Sequence, residues 1–119
     1  MSTGDPVLFL WDARDAAALI LEFDDGSTLE RWRADAKTRA AVEREFTIIA
    51  EALGRVRRLA PELAARVHDL PRIIGFRNHL VHGYDVLDDQ VVWEIVKDDV
   101  PRFLAGLDIL LAEFGPRSR

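Results

Sequence analysis

Apolar residues recur along this chain at spacings of three and four, the period of an α-helix, and nowhere form a series of alternating strands. The clearest run is Val42, Phe46, Ile49, Leu53 and Val56, whose steps of four, three, four and three make one continuous stripe. It predicts a helix from Asp35 or Lys37 to about Leu59, with Arg39, Glu43, Arg44, Arg55 and Arg58 on its outer faces and Pro61 closing it. Upstream, Pro6 suits a first helical turn, and Val7, Leu10, Trp11, Ala17 and Leu21 carry an apolar stripe up to Phe23. Asp24-Asp25-Gly26-Ser27 then reads as a turn. Ser27 or Thr28 is expected to cap a short helix through Trp32, in a pattern similar to a capping box.

Beyond Pro61, Glu62 to His68 has room for a short helical turn, with His68 at the surface. Pro71 opens a predicted helix from Arg72 to about His82, with Ile73, Ile74, Leu80 and Val81 as apolar positions and Gly83 as its stop. Val86 to Gln90 is an acidic turn. The last helix is expected from near Asp89 to Phe114, with Leu104, Leu107, Leu111 and Phe114 facing the core. Pro101 lies inside it, so a kink or two abutting helices are predicted, with Asp98 or Asp99 capping the restart. Residues 115–119 read as a frayed tail. Four to five main helices with short connections make an all-α, up-and-down helical bundle, in one domain over 1–119.

Composition narrows the classes. With 119 residues and 49% hydrophobic positions, one sizeable core is expected. The absence of cysteine excludes disulfides and thiolate metal sites. No basic patch followed by an apolar run marks a leader, and the apolar runs are too short to span a membrane. A soluble cytoplasmic protein is the expectation. The net charge of -5 disfavours general attraction to polyanions. The basic residues are 14 Arg and 2 Lys, a bias that suits bidentate phosphate contacts but that GC-rich coding also produces. Nucleic-acid chemistry would therefore need a local basic site.

Such a site has one candidate. Arg77, Asn78, His79, His82 and Tyr84 gather two of the three His residues and the only Tyr within eight positions. Asn78 and His82, four apart, share a helical face. Arg77 and His82 lie ~140° apart around an ideal helix axis, so a single straight helix does not aim them at one atom. Either the helix ends before His82, as Gly83 suggests, or two copies meet in a dimer and bring two Arg and two His to one cleft, the arrangement favoured here. These residue types suit metal-independent RNA cleavage. An imidazole can take the proton of the ribose 2′-hydroxyl or give one to the leaving 5′-oxygen near neutral pH. A guanidinium can hold the growing charge on the phosphate, and Asn78 can orient the imidazole or donate to a phosphate oxygen. Two plainer readings compete. Arg77 and His82 could pair with Asp85, Asp88 or Asp89 as structural residues, and His79 with His82 could bind a metal, although no second His pair or Cys completes that site.

The segment resembles the HEPN superfamily, and specifically the HepT toxins, whose hallmark is Arg, four residues, His, one residue and Tyr. Here that pattern is Arg77, His82 and Tyr84, with Asn78 directly after the Arg. The approach Ile73-Ile74-Gly75-Phe76, the long-helix stretch 42–52 and the final stretch Val92-Trp93-Glu94-Ile95-Val96 with Asp99-Val100-Pro101 are similar to the family as well. The resemblance departs at Arg72, where the family often has Trp, and at Ala50, where Gly is usual. It implies a HEPN-like helical bundle acting as a homodimer. It also implies a toxin endoribonuclease with Arg77 and His82 as the catalytic pair, no cofactor and no metal. The implied substrates are cellular RNA, tRNA or mRNA. The implied partner is an MntA-like nucleotidyltransferase antitoxin that neutralises the toxin by AMPylation of Tyr84. The alternative on the same fold is a non-catalytic dimeric partner module for a minimal nucleotidyltransferase.

Overall fold

The computed structural model of the protein describes residues 4–68 and 89–117. Within them every regular element is helical, which bears out the all-α class. Helix α1 spans Pro6–Asp24, α2 Leu29–Ala34, α3 Ala36–Leu59, α4 Pro61–Ala64, α5 Asp89–Glu94 and α6 Val100–Ala112. A π-helical turn, Ile95–Asp99, joins α5 to α6.

Local chemistry sets the helix starts. The Asp5 carboxylate accepts from the Val7 amide at 2.9 Å, filling one of the orphan donors of the first turn of α1, and Pro6 has no amide to leave orphaned. Asp35 does the same for α3, accepting from the Thr38 amide at 3.0 Å and from its hydroxyl at 2.7 Å. These bonds hold the Asp35 carboxyl below its ordinary range, the amide bond being the larger cause. Thr28, rather than Ser27, caps α2 by accepting from the Arg31 amide at 3.2 Å. Only this half of a capping box forms, because the third helical residue is Arg31 and has no carboxylate to reach back. The α1–α2 corner turns through Asp25 and Gly26, at φ 47° and 63°. Both lie in the left-handed region, which a glycine enters freely and an Asp more easily than most residues.

The core is built on α1. Leu10, Ala13, Ala17 and Ile20 are completely buried, and the small side chains let two neighbours approach closely. On one side lies α3, antiparallel to α1, with the Arg55 guanidinium stacked on the Phe9 ring near the start of α1. Its predicted stripe Val42, Phe46, Ile49, Leu53 and Val56 is buried in full. Removing one such leucine from water stabilises the fold by roughly 1.5–3 kcal/mol. On the other side lies α6, also antiparallel. Lys97 pairs with Asp24 at one end of α1 and Arg14 with Asp108 at 2.9 Å towards the other. The hydrogen bond that Arg14 donates to Asp108 is the main reason its guanidinium binds its proton more tightly than usual.

Three expectations need correction. The predicted core face of the last helix, Leu104, Leu107, Leu111 and Phe114, is half right. Leu107 and Leu111 are buried, but Leu104 is at the margin and Phe114 is 45% exposed, while Val100, Phe103 and Leu110 point inward. The stripe that wins is the one continuing Val92 and Val96 from the preceding segment. Second, Pro101 is not preceded by a capped restart. Asp99 is itself helical and makes no side-chain cap. The chain instead widens into the π-turn directly before the proline, relieving the clash of its ring with the carbonyl four residues back. Third, Arg39 does not face outward. It donates to the carbonyls of Trp32 at 2.8 Å and Arg33 at 2.6 Å, closing the end of α2. In the tail expected to fray, Arg117 pairs with Asp15 at 2.6 Å and stacks over Trp11.

Candidate functional site

The sequence places its chemistry at Arg77, Asn78, His82 and Tyr84, all outside the described residues, as are His79 and the predicted helix 72–82. The frame that holds the two ends of residues 69–88 is defined in detail.

The leading end leaves from α4. Leu63, Ala64 and Val67 are buried in the core, and His68 is exposed. Arg66 donates to both carboxylate oxygens of Glu113, at 2.7 and 2.6 Å, tying this end to the close of α6. That bond raises the affinity of the guanidinium for its proton.

The returning end is held by more contacts. The Trp32 indole donates to the Asp89 carbonyl at 2.9 Å, and Arg33 donates to the Gln90 side chain at 3.3 Å. The Arg39 guanidinium lies 3.6 Å from the Asp89 carboxylate. One α-helical turn further on, the Trp93 indole reaches the hydroxyl of Ser27 at 3.2 Å and its carbonyl at 3.3 Å. Lys97 then bonds the buried Asp24 at 2.5 Å and lies over the Trp93 ring, and Ser27 also donates to Asp24. The two ends therefore sit at opposite ends of α3, a helix about 36 Å long from its 24 residues.

Of the residues of this clamp, the sequence offers only Asp89 as a partner of the motif, as one of three aspartates that could pair with Arg77 or His82. Asp24 read as part of a turn and Arg39 as an outer-face charge. The available signal was in Trp32 and Trp93, since a buried indole N–H requires an acceptor, but which acceptor is a matter of packing. No cluster of His, Asp or Glu capable of holding a metal occurs among the described residues. None of the helices described is long and apolar enough to cross a membrane.

The sequence model of the ribonuclease HepT-like family matches residues 13–108, which include the whole motif segment and both of its anchors. The chain belongs to the HepT-like ribonuclease family. A candidate RNase of Methanocaldococcus jannaschii is 30% identical over 112 residues, covering 92% of this chain and all of the relative. A candidate ribonuclease HepT of Thermococcus cleftensis is 36% identical over 97 residues, covering 78% of this chain and 84% of the relative. No solved structure gives a significant match. The enzyme class expected from Arg77 and His82 is thus the one this HepT-like family carries.

Proposed function

We propose that this HepT-like chain is a toxin endoribonuclease. It is a single domain over 1–119 that cleaves cellular RNA, tRNA or mRNA, without a metal, in the cytoplasm and as a homodimer. The observation that carries the reading is an intact Arg77-x4-His82-x-Tyr84 motif inside a family match over residues 13–108. In the proposed reaction the 2′-oxygen attacks the adjacent phosphorus and the bond to the 5′-oxygen breaks. His82 moves a proton, and Arg77 stabilises the charge on the non-bridging oxygens. Asn78 supports them by orienting the imidazole or donating to a phosphate oxygen. Each protomer contributes one set to a composite cleft. DNA lacks the attacking hydroxyl, which makes the activity specific for RNA.

The net charge of -5 requires local compensation, and α2 offers some. Arg31 and Arg33 are exposed on the helix that holds Asp89 and Gln90, the residues at which the motif segment returns. Tyr84 is the proposed point of control. A nucleotidyltransferase antitoxin of the MntA type would transfer AMP from ATP to its phenol oxygen, releasing pyrophosphate. The added phosphate would bring negative charge and bulk next to Arg77 and His82 in sequence, competing with the RNA backbone.

The deciding experiment uses pure protein, labelled RNA and a chelator. Cleavage should persist in the chelator and fall by at least ~100-fold in both Arg77→Ala and His82→Ala, the scale of a lost proton-transfer or charge-stabilising group. Equal activity in all three proteins would reject the assignment. Absence of cleavage together with tight binding to a nucleotidyltransferase would favour the non-catalytic partner module.

A further inference from the structure

Beside their core stripes, α1 and α3 each carry a second stripe that faces away from α6. On α1 it is Phe9, Asp12, Ala16 and Leu19, continued by Phe23, at steps of three, four, three and four. On α3 it is Glu45, Ile48, Ala52 and Arg55, at steps of three, four and three. The helices run antiparallel, so the stripes flank one open groove of about 300 Å³. From Phe9 to Leu19 it offers a seam roughly 15 Å long, and its spacing is the one by which a further helix seats its side chains between two others. Leu19 in this seam and Phe23, one turn beyond it, are 36% and 37% exposed, which is high for large apolar side chains.

The walls of the groove are charged, and mostly with one sign. Asp12, Asp15, Glu45 and Glu51 line it against Arg55 and Arg117. Both cations are engaged near the start of α1, Arg55 on the Phe9 ring and Arg117 on Asp15 and Trp11. Glu45 is half-buried further along. Burial pushes its carboxyl up, and the charge of Arg44 opposes this without cancelling it. A carboxylate there is partly stripped of water without a cation strong enough to offset the cost.

We propose that the α1–α3 groove binds a basic amphipathic helix of a partner protein, whose apolar face covers Leu19 and Ile48 while its Lys or Arg side chains meet Glu45 and Glu51. Charge selects this occupant. RNA would bring phosphates to an acidic wall. A second copy of this chain in a two-fold contact would set the same carboxylates against themselves. None of the residues that line the groove is Arg77, His82 or Tyr84, so binding there does not depend on whether the chain cleaves RNA.

The test uses two fluorescein-labelled helical peptides of about 18 residues with the same leucine seam, one flanked by Lys and the other by Glu. The Lys peptide is expected to bind at least ~10-fold more tightly. Glu45→Lys with Glu51→Lys should remove that preference. Glu30→Lys with Glu62→Lys, the same charge change outside the groove, should keep it. Ile48→Asp should weaken both peptides, with circular dichroism confirming the fold. Equal binding of the two peptides, or equal loss in the two charge variants, would overturn the proposal by showing that overall charge alone attracts the peptide. So would dissociation of a homodimer by Ile48→Asp in sedimentation, which would put a second copy in the groove.

Discussion

Two carboxyls illustrate how position governs the behaviour of a side chain. Asp35 and Glu45 lie ten residues apart around one helix, yet their proton affinities move in opposite directions. Asp35 accepts the Thr38 amide and hydroxyl, which favours its charged form. Glu45 faces the α1–α3 groove, where burial disfavours charge. The consequence for Glu45 has a definite sign. Its folded-state pKa is raised above the unfolded value, so the folded protein binds more protons than the unfolded chain between the two values, and Glu45 costs stability once pH rises above them. Glu45→Gln should therefore be more stable than the parent at pH 7, and the difference should vanish as the pH falls below the ordinary carboxylate range. Urea unfolding of both proteins across that interval measures it. A constant difference at all pH values would mean that burial of Glu45 is not the cause.

At the scale of elements, α5, the π-turn and α6 act as one rod with a deliberate irregularity. The π-turn sits directly before Pro101, and Lys97 leaves its middle to reach Asp24 at the end of α1. Asp24 is only 4% exposed, so its charge depends on that partner and on Ser27. Lys97→Met would strand a buried carboxylate. The expected loss is about 3 kcal/mol, at the low end of the range for breaking a buried pair, because Lys97 itself reaches solvent. Adding Asp24→Asn to it should restore much of the loss, since the stranded charge disappears. A denaturation cycle over the four proteins checks this, and simple additivity would show that the two residues are not coupled. The same pair, with Trp93 on Ser27, fixes the rotation of α5. Trp32 and Arg39 fix its first residue. The return of the motif segment is thereby set by contacts to three other helices.

For the whole molecule the issue is charge. A protein of net charge -5 that acts on RNA has to draw its substrate to one place against its own average field. Arg31 and Arg33 on α2 stand beside the anchored end of the motif segment, exposed to solvent. If they guide the RNA backbone, Arg31→Ala with Arg33→Ala should raise KM for RNA several-fold, leave kcat close to the parent value, and flatten the dependence of KM on salt. Cleavage assays at two or three salt concentrations are sufficient. A change in kcat with no change in KM would assign these arginines to holding α5 in place.

The periodicity of Val42, Phe46, Ile49, Leu53 and Val56, the turn at Asp24 to Ser27, a cap at Ser27 or Thr28 and the start of the long helix near Asp35 were legible in the sequence. So was the family, from Arg77, His82 and Tyr84. These features are local, since period and cap chemistry act within a few residues and a motif is a spacing. The inward turn of Arg39, the choice of Phe103 over Phe114 for the core, the π-turn that absorbs Pro101 and the buried Asp24–Lys97 pair were decided only by the tertiary structure. Each depends on which distant element supplies the facing surface, and in a last helix with two apolar stripes, or a turn with two adjacent aspartates, local pattern leaves both options nearly equal until packing and the loss of water separate them.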